Sequence, residues 1–170
     1  MKRIKLIINR RNVELRIQTH TFYTGEARRE AGAPAMLAAR FQASDNDLSQ
    51  LSDHIQMAID ELASLLTKYL SPCTSNMSEY EEDGKSNIKY TFTLSVPPNF
   101  PLECIQQIEN TMESYAVTRT LQLWTAQHKP DETPLAAGEA ERLMMQMRQL
   151  MAIRQRPKRP YNCDKNIIDI

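Results

Sequence analysis

Ile88, Tyr90, Phe92, Leu94 and Val96 alternate with Lys89, Thr91, Thr93 and Ser95, and Pro97-Pro98 closes the run. Strict period-two alternation marks a strand with one apolar face and one polar face. Such a strand needs a neighbour for its backbone groups and a packed layer over its apolar side. Asp83-Gly84, just upstream, is a tight-turn signal. A β-hairpin is therefore expected around residues 74–97.

The rest of the chain supplies the covering layer. Leu48, Leu51, Ile55, Ile59, Leu62, Leu66 and then Tyr69 or Leu70 recur every three or four residues, one continuous helical stripe. Ser44 or Asp45 fits its N-cap, and Ser71-Pro72 fits its end. After the hairpin, Pro101 suits a first helical turn, and Leu102, Ile105, Ile108, Met112, Tyr115, Ala116, Leu123 and Trp124 give an apolar face up to His128. Thr133-Pro134 then opens a helix whose inner face is Ala140, Leu143, Met144, Met147, Leu150 and Met151, running to about Gln155.

The N-terminal third reads differently. Ile4, Leu6 and Ile8 form one short alternation and Val13, Leu15 and Ile17 another, with Asn9-Arg10-Arg11-Asn12 between them as a turn. The expectation is a second hairpin, followed by a long connector with one short helix. The fold class expected is α+β, mainly α: a three-helix core with an inserted β-hairpin, an N-terminal β arm and an extended C-terminal tail. The boundaries are 1–43 for the hairpin arm and connector, 44–156 for the helical core, and 157–170 for the tail.

Composition excludes several function classes. Lys+Arg and Asp+Glu both number 21 in 170 residues, so net charge is zero, which excludes a dispersed basic nucleic-acid binder or an acidic solvated tail. The start lacks the apolar core of a signal peptide, and no window approaches the ~18 apolar residues of a membrane span. Cys73, Cys104 and Cys163 are far apart and odd in number, which suits a reducing compartment. Apolar surface is thinly spread, so part of the stability is expected from neighbouring subunits.

Catalytic patterns are absent from the sequence. His20, His54 and His128 are isolated from one another and from cysteine, which gives zinc no local ligand pair. Asp45, Asp47 and Asp53 lack the glycine and glutamate of a calcium loop. Cys104 has no paired histidine and reads as a small core residue. The four glycines are scattered, so no phosphate-cradling loop forms. The expectation is a protein that is not an enzyme and holds no metal or cofactor.

Interaction residues stand out instead. Met145 lies off the main methionine stripe and is a candidate interface residue. Arg154, Arg156, Lys158 and Arg159 run off the last helix into a tail punctuated by Pro157 and Pro160. Cations there compensate a helix dipole, or form an arm that meets an acidic surface or phosphates. Ile167, Ile168 and Ile170 add a short apolar end.

The order of these features resembles a known family. N-terminal strands lead to Tyr23-Thr24-Gly25, and a long amphipathic helix spans Asp45–Leu70. A strand then precedes a helix containing Tyr115-Ala116-Val117 and Leu123-Trp124, and the last helix finishes in Arg154-Gln155-Arg156-Pro157. This resembles small proteins from the structural gene modules of tailed phages and prophages of gut bacteria, similar in size and helical content to neck components that form a ring between portal and tail. Phe41-Gln42-Ala43 and the Cys73–Lys85 segment depart from the family pattern.

The resemblance implies a virion structural protein, a subunit of a head-to-tail connector or adaptor ring. Its partners would be itself in a closed ring of twelve or six copies, portal, tail or other neck proteins, and packaged DNA by non-specific contact, with no membrane. Tyr23, Met145, Arg154, Arg156, Lys158, Arg159, Ile167, Ile168 and Ile170 are the expected contact residues. The alternative is a cytoplasmic DNA-associated accessory protein that binds through its basic C-terminal cluster.

Overall fold

The structure, a computed structural model, describes residues 1–32, 48–70, 77–82, 85–128 and 133–154. The chain begins with β1 (Lys2–Asn9) and α1 (Arg10–Glu30), followed by α2 (Leu48–Leu66), β2 (Met77–Glu82) and β3 (Lys85–Val96). A short 3-10 turn (Leu102–Cys104), in which Leu102 is 50% exposed instead of part of the helix's inner face, leads into α3 (Ile105–His128), and α4 (Thr133–Ala152) is the last helix described. The class is α+β and mainly α. The expected Ser44–Asp45 cap, the Asp83-Gly84 turn, Phe41-Gln42-Ala43 and the 157–170 tail lie outside the described residues.

β3 is the middle strand of an antiparallel sheet of order β1-β3-β2. Its pairing with β1 runs from Lys2↔Val96 to Asn9↔Lys89. That register puts Ile4, Leu6 and Ile8 on the same face as Tyr90, Phe92, Leu94 and Val96, and all seven are buried. Thr93, expected to face out, does occupy an outward register position, yet it is 8% exposed. It sits opposite Lys5 of β1, one residue before Leu94, which Leu70 bridges.

The N-terminal segment overturns the hairpin expectation. Residues Arg10–Glu30 are one continuous helix of 21 residues, so neither the turn at 9–12 nor a strand at 13–17 exists. Asn9 is an N-cap, not a turn residue: its side-chain oxygen accepts a hydrogen bond from the Arg11 N–H at 3.0 Å. The buried positions, Val13, Ile17, Thr21 and Gly25, recur every four residues, which is helical spacing. Leu15, assigned inward by the strand reading, is 51% exposed. Arg10 and Glu14 pair across one turn at 2.6 Å. Gly32 follows the helix at φ +88, a backbone conformation glycine adopts without steric cost.

β1 is therefore a strand of the central sheet and not a detached arm, which joins residues 1–30 to the helical core. α3 packs against α1, α2, α4 and β1. Glu109 on α3 also accepts a hydrogen bond from the Ile7 N–H at 2.8 Å, closing part of the outer edge of β1. α2 ends at Leu66, earlier than its stripe implies, because Tyr69 and Leu70 turn onto the sheet. The Ser95 N–H donates to the Tyr69 carbonyl at 2.6 Å, and Leu70 bridges to Leu94. Trp124, Tyr115, Phe100, Leu6, Ile17, Leu62 and Ile108 are among the largest fully buried side chains.

The α1 assignment has a direct test. Ile17→Ala should cost about 2–5 kcal/mol, because Ile17 is fully buried. Leu15→Ala should cost less than about 1 kcal/mol, because half of Leu15 is in water. Chemical denaturation of both variants reads the difference, and equal losses would restore the strand reading.

Candidate interaction surfaces

Among the described residues, a connected polar cluster joins α2 to α3. Arg119 grips Glu61 with two nitrogens, Nη2 to Oε1 at 2.7 Å and Nε to Oε2 at 2.9 Å. The Tyr115 hydroxyl donates to the same Oε2 at 2.9 Å, and Arg119 Nη1 donates to Gln122 at 2.7 Å. A planar guanidinium suits this bidentate geometry better than a lysine would. The hydrogen bonds from Arg119 lower the pKa of Glu61 below the ordinary carboxylate value, against a smaller opposing effect of burial. Burial, and then the bond to Glu61, push the Tyr115 phenol up to about 12.

This cluster borders a cleft of about 400 Å³ whose other walls include Leu65 on α2 and Ala137, Ala140 and Met144 on α4. Its polar atoms are spent on one another. The arrangement clamps two helices together, and Ser64 and Glu141 also line the cleft.

A second surface is apolar. Leu15 and Tyr23 flank a groove of about 650 Å³ along the outer side of α1, together with Arg16, Thr19, His20 and Thr24. Leu15, Phe22 and Tyr23 are 51%, 50% and 68% exposed. The Phe22 and Tyr23 rings meet edge-on at 5.8 Å. Arg16 is held at one side of the groove by Glu113 and Ser114 of α3, both at 3.3 Å. The hydroxyls of Thr19 and Thr24 bond back to the carbonyls of Leu15 and His20, which leaves the groove less polar than its composition implies.

The expected contact residues fall in different places. Tyr23 is exposed on α1. Met145 is 62% exposed on α4, while Met147 and Met151 are buried and Met144 packs partly against the core. Arg154 lies just past α4, where its Nη1 donates to the carbonyls of Met151 and Ile153 at 2.8 and 2.7 Å. That is the helix-end compensation expected of a cation at this position. The groove beside Tyr23 contains neither Met145 nor Arg154. Arg156, Lys158, Arg159, Ile167, Ile168 and Ile170 lie outside the described residues.

Two groups escaped the sequence. Leu15 and Phe22 belong to the exposed face of α1, and the four-residue recurrence of Val13, Ile17, Thr21 and Gly25 was the signal that could have found them. Glu61 and Arg119 are 58 residues apart and carry no local signal at all. His54 is buried on α2, and Cys104 is half-buried against the core as expected. No helix among the described residues is long and apolar enough to cross a membrane. Comparison of the chain with family models, with curated proteins and with solved structures gives no match.

The clamp makes a pH prediction. The folded-state pKa of Glu61 is lowered, so its contribution is present above the unfolded value of 4.5 and is lost as pH falls through the folded value. Tyr115 acts at the other end: its folded pKa is raised, so stability falls as pH climbs from 10 toward about 12. Glu61→Gln should lower stability at pH 7 by about 1 kcal/mol, a figure reduced for partial exposure. The gap between variant and parent should narrow as pH falls below 4.5, as thermal melts at pH 3 and 7 would show.

Proposed function

We propose that this chain is a virion structural protein, a subunit of a ring in the phage neck that joins portal to tail. The observation that carries the reading is the outer face of α1, where Leu15, Phe22 and Tyr23 stand together in water on a helix whose opposite face is fully packed. Large apolar side chains clustered on a surface favour a protein neighbour. α4 offers a second and different outer face, with Leu135 82% and Met145 62% exposed. A ring built head to tail needs two unlike surfaces of this kind, one for each neighbour, and closes when the rotation between subunits divides a full turn.

The order of motifs supports the same reading. Tyr115-Ala116-Val117 and Leu123-Trp124 fall on α3, the helix that touches every other helix, where a family sharing this core would keep them. The partners are further copies of the chain, the portal, and tail or other neck proteins, and the protein's place is the virion. Its work is mechanical: it transmits attachment through packed faces and performs no chemistry. The accessory DNA-binding alternative draws less support from the C-terminal cluster, because Arg154, its first cation, is engaged by carbonyls at the end of α4.

Tyr23→Arg tests the reading. An exposed substitution should shift stability by no more than about 0.5 kcal/mol. The same change puts a charge into the proposed contact and should abolish incorporation of the subunit into particles. Normal incorporation of the variant would remove α1 from the interface.

A further inference from the structure

The outward face of the β1–β3 pair differs from every other surface described so far. By register, Arg3 and Lys5 of β1 stand there with Lys89, Thr91, Thr93 and Ser95 of β3. Ile7 is the large apolar side chain among these outward positions, and none of them is a carboxylate. Arg3 and Lys5 are exposed, and Lys89 is half-buried. These register positions carry cations and no acid, and the Glu109 carboxylate reaches only the edge of β1, where it accepts from the Ile7 N–H at 2.8 Å.

Several of the helix cations are already paired. Arg10, Arg16, Arg29, Arg119 and Arg142 each hold a glutamate within ion-pair distance. Among the described residues, Arg3, Lys5 and Lys89 have no such partner. A cation left in water gains nothing from an intramolecular neighbour, so its charge is available to a ligand.

We propose that this sheet face binds the phosphate backbone of duplex DNA without reading sequence. Side chains two apart on a strand project about 7 Å from each other on the same face. Duplex DNA carries one charge per roughly 3.4 Å along each strand. Spaced by about two such intervals, Arg3 and Lys5 each meet a separate phosphate, with Lys89 on the neighbouring strand as a third cation. Thr91 carries a hydroxyl of the type that bonds phosphate oxygens, whereas the Ser95 hydroxyl donates to Met1 Sδ at 3.3 Å. A membrane surface is the poorer fit, since interfacial binding uses several inserted apolar or aromatic side chains and this face has Ile7. The proposal does not depend on ring assembly: a monomer that binds DNA satisfies it, and a ring without DNA affinity refutes it while leaving the ring intact.

The test is fluorescence anisotropy of a labelled 20-base-pair duplex with the full chain at 50 and 200 mM NaCl. Three phosphate contacts predict a loss of about 40-fold in affinity across that range. Arg3→Thr with Lys5→Thr and Lys89→Thr should weaken binding at least tenfold at 50 mM and remove most of the salt dependence. The melting transition of this variant checks that the sheet is intact. If the triple variant fails to fold, Lys5→Thr alone should make the salt slope shallower by about one. Arg156→Glu with Arg159→Glu, in the tail, should leave the sheet-dependent part unchanged. Absence of binding by the parent at 50 mM would overturn the proposal. So would unchanged affinity in the sheet variants, loss of all binding in the tail variant, or tighter sheet-dependent binding to phosphatidylserine vesicles or an acidic peptide than to the duplex.

Discussion

The burial of α3 is the constraint on which the rest of the structure depends. Its 24 residues make a rod about 36 Å long. Ile108, Met112, Tyr115, Ala116, Val117, Leu121 and Trp124 are buried, and so are Thr111, Thr120 and Thr125 between them. So broad an inward surface cannot be covered by one neighbour. α1, α2, α4 and β1 each take a share, and the three threonine hydroxyls are satisfied by carbonyls of α3 itself. Removing any one of these neighbours would put large apolar side chains into water, at about 1.5–3 kcal/mol for each fully buried residue.

That arrangement decides which surfaces remain for partners. α1 gives α3 a narrow stripe of Val13, Ile17, Thr21 and Gly25, and its other side keeps Leu15, Phe22 and Tyr23 in water. α4 gives Ala140, Leu143, Met147, Leu150 and Met151, and keeps Leu135 and Met145 outside. The sheet turns its apolar face to the core and its cationic face outward. The Glu61–Arg119 clamp fixes α2 against α3. The outer faces thus rest on a packed core.

Much of this was legible from periodicity. β3, α2, α3 and α4 follow from spacings of two, three or four sustained over many residues, and the exposure of Met145 follows from its place off the methionine stripe. Val13-Glu14-Leu15-Arg16-Ile17 failed because five residues fit both periods: positions 13 and 17 share a helical face, while 13, 15 and 17 share a strand face. The deciding fact was the Asn9 cap, whose side chain starts a helix where a turn was equally reasonable. The end of α2 was hidden because the pull on Tyr69 and Leu70 comes from β3, some 24 residues later. The bidentate clamp was invisible for the same reason, since long-range pairs leave no trace in local pattern.

The central claim is that these outer faces serve assembly in a virion. Quantitative mass spectrometry of purified tailed particles, from the strain that encodes the chain, tests it most directly. The account predicts the protein in intact particles at a fixed ratio to portal subunits, in the proportion a closed ring requires. Its absence from particles, or an abundance that varies between preparations while portal content stays constant, would contradict the account.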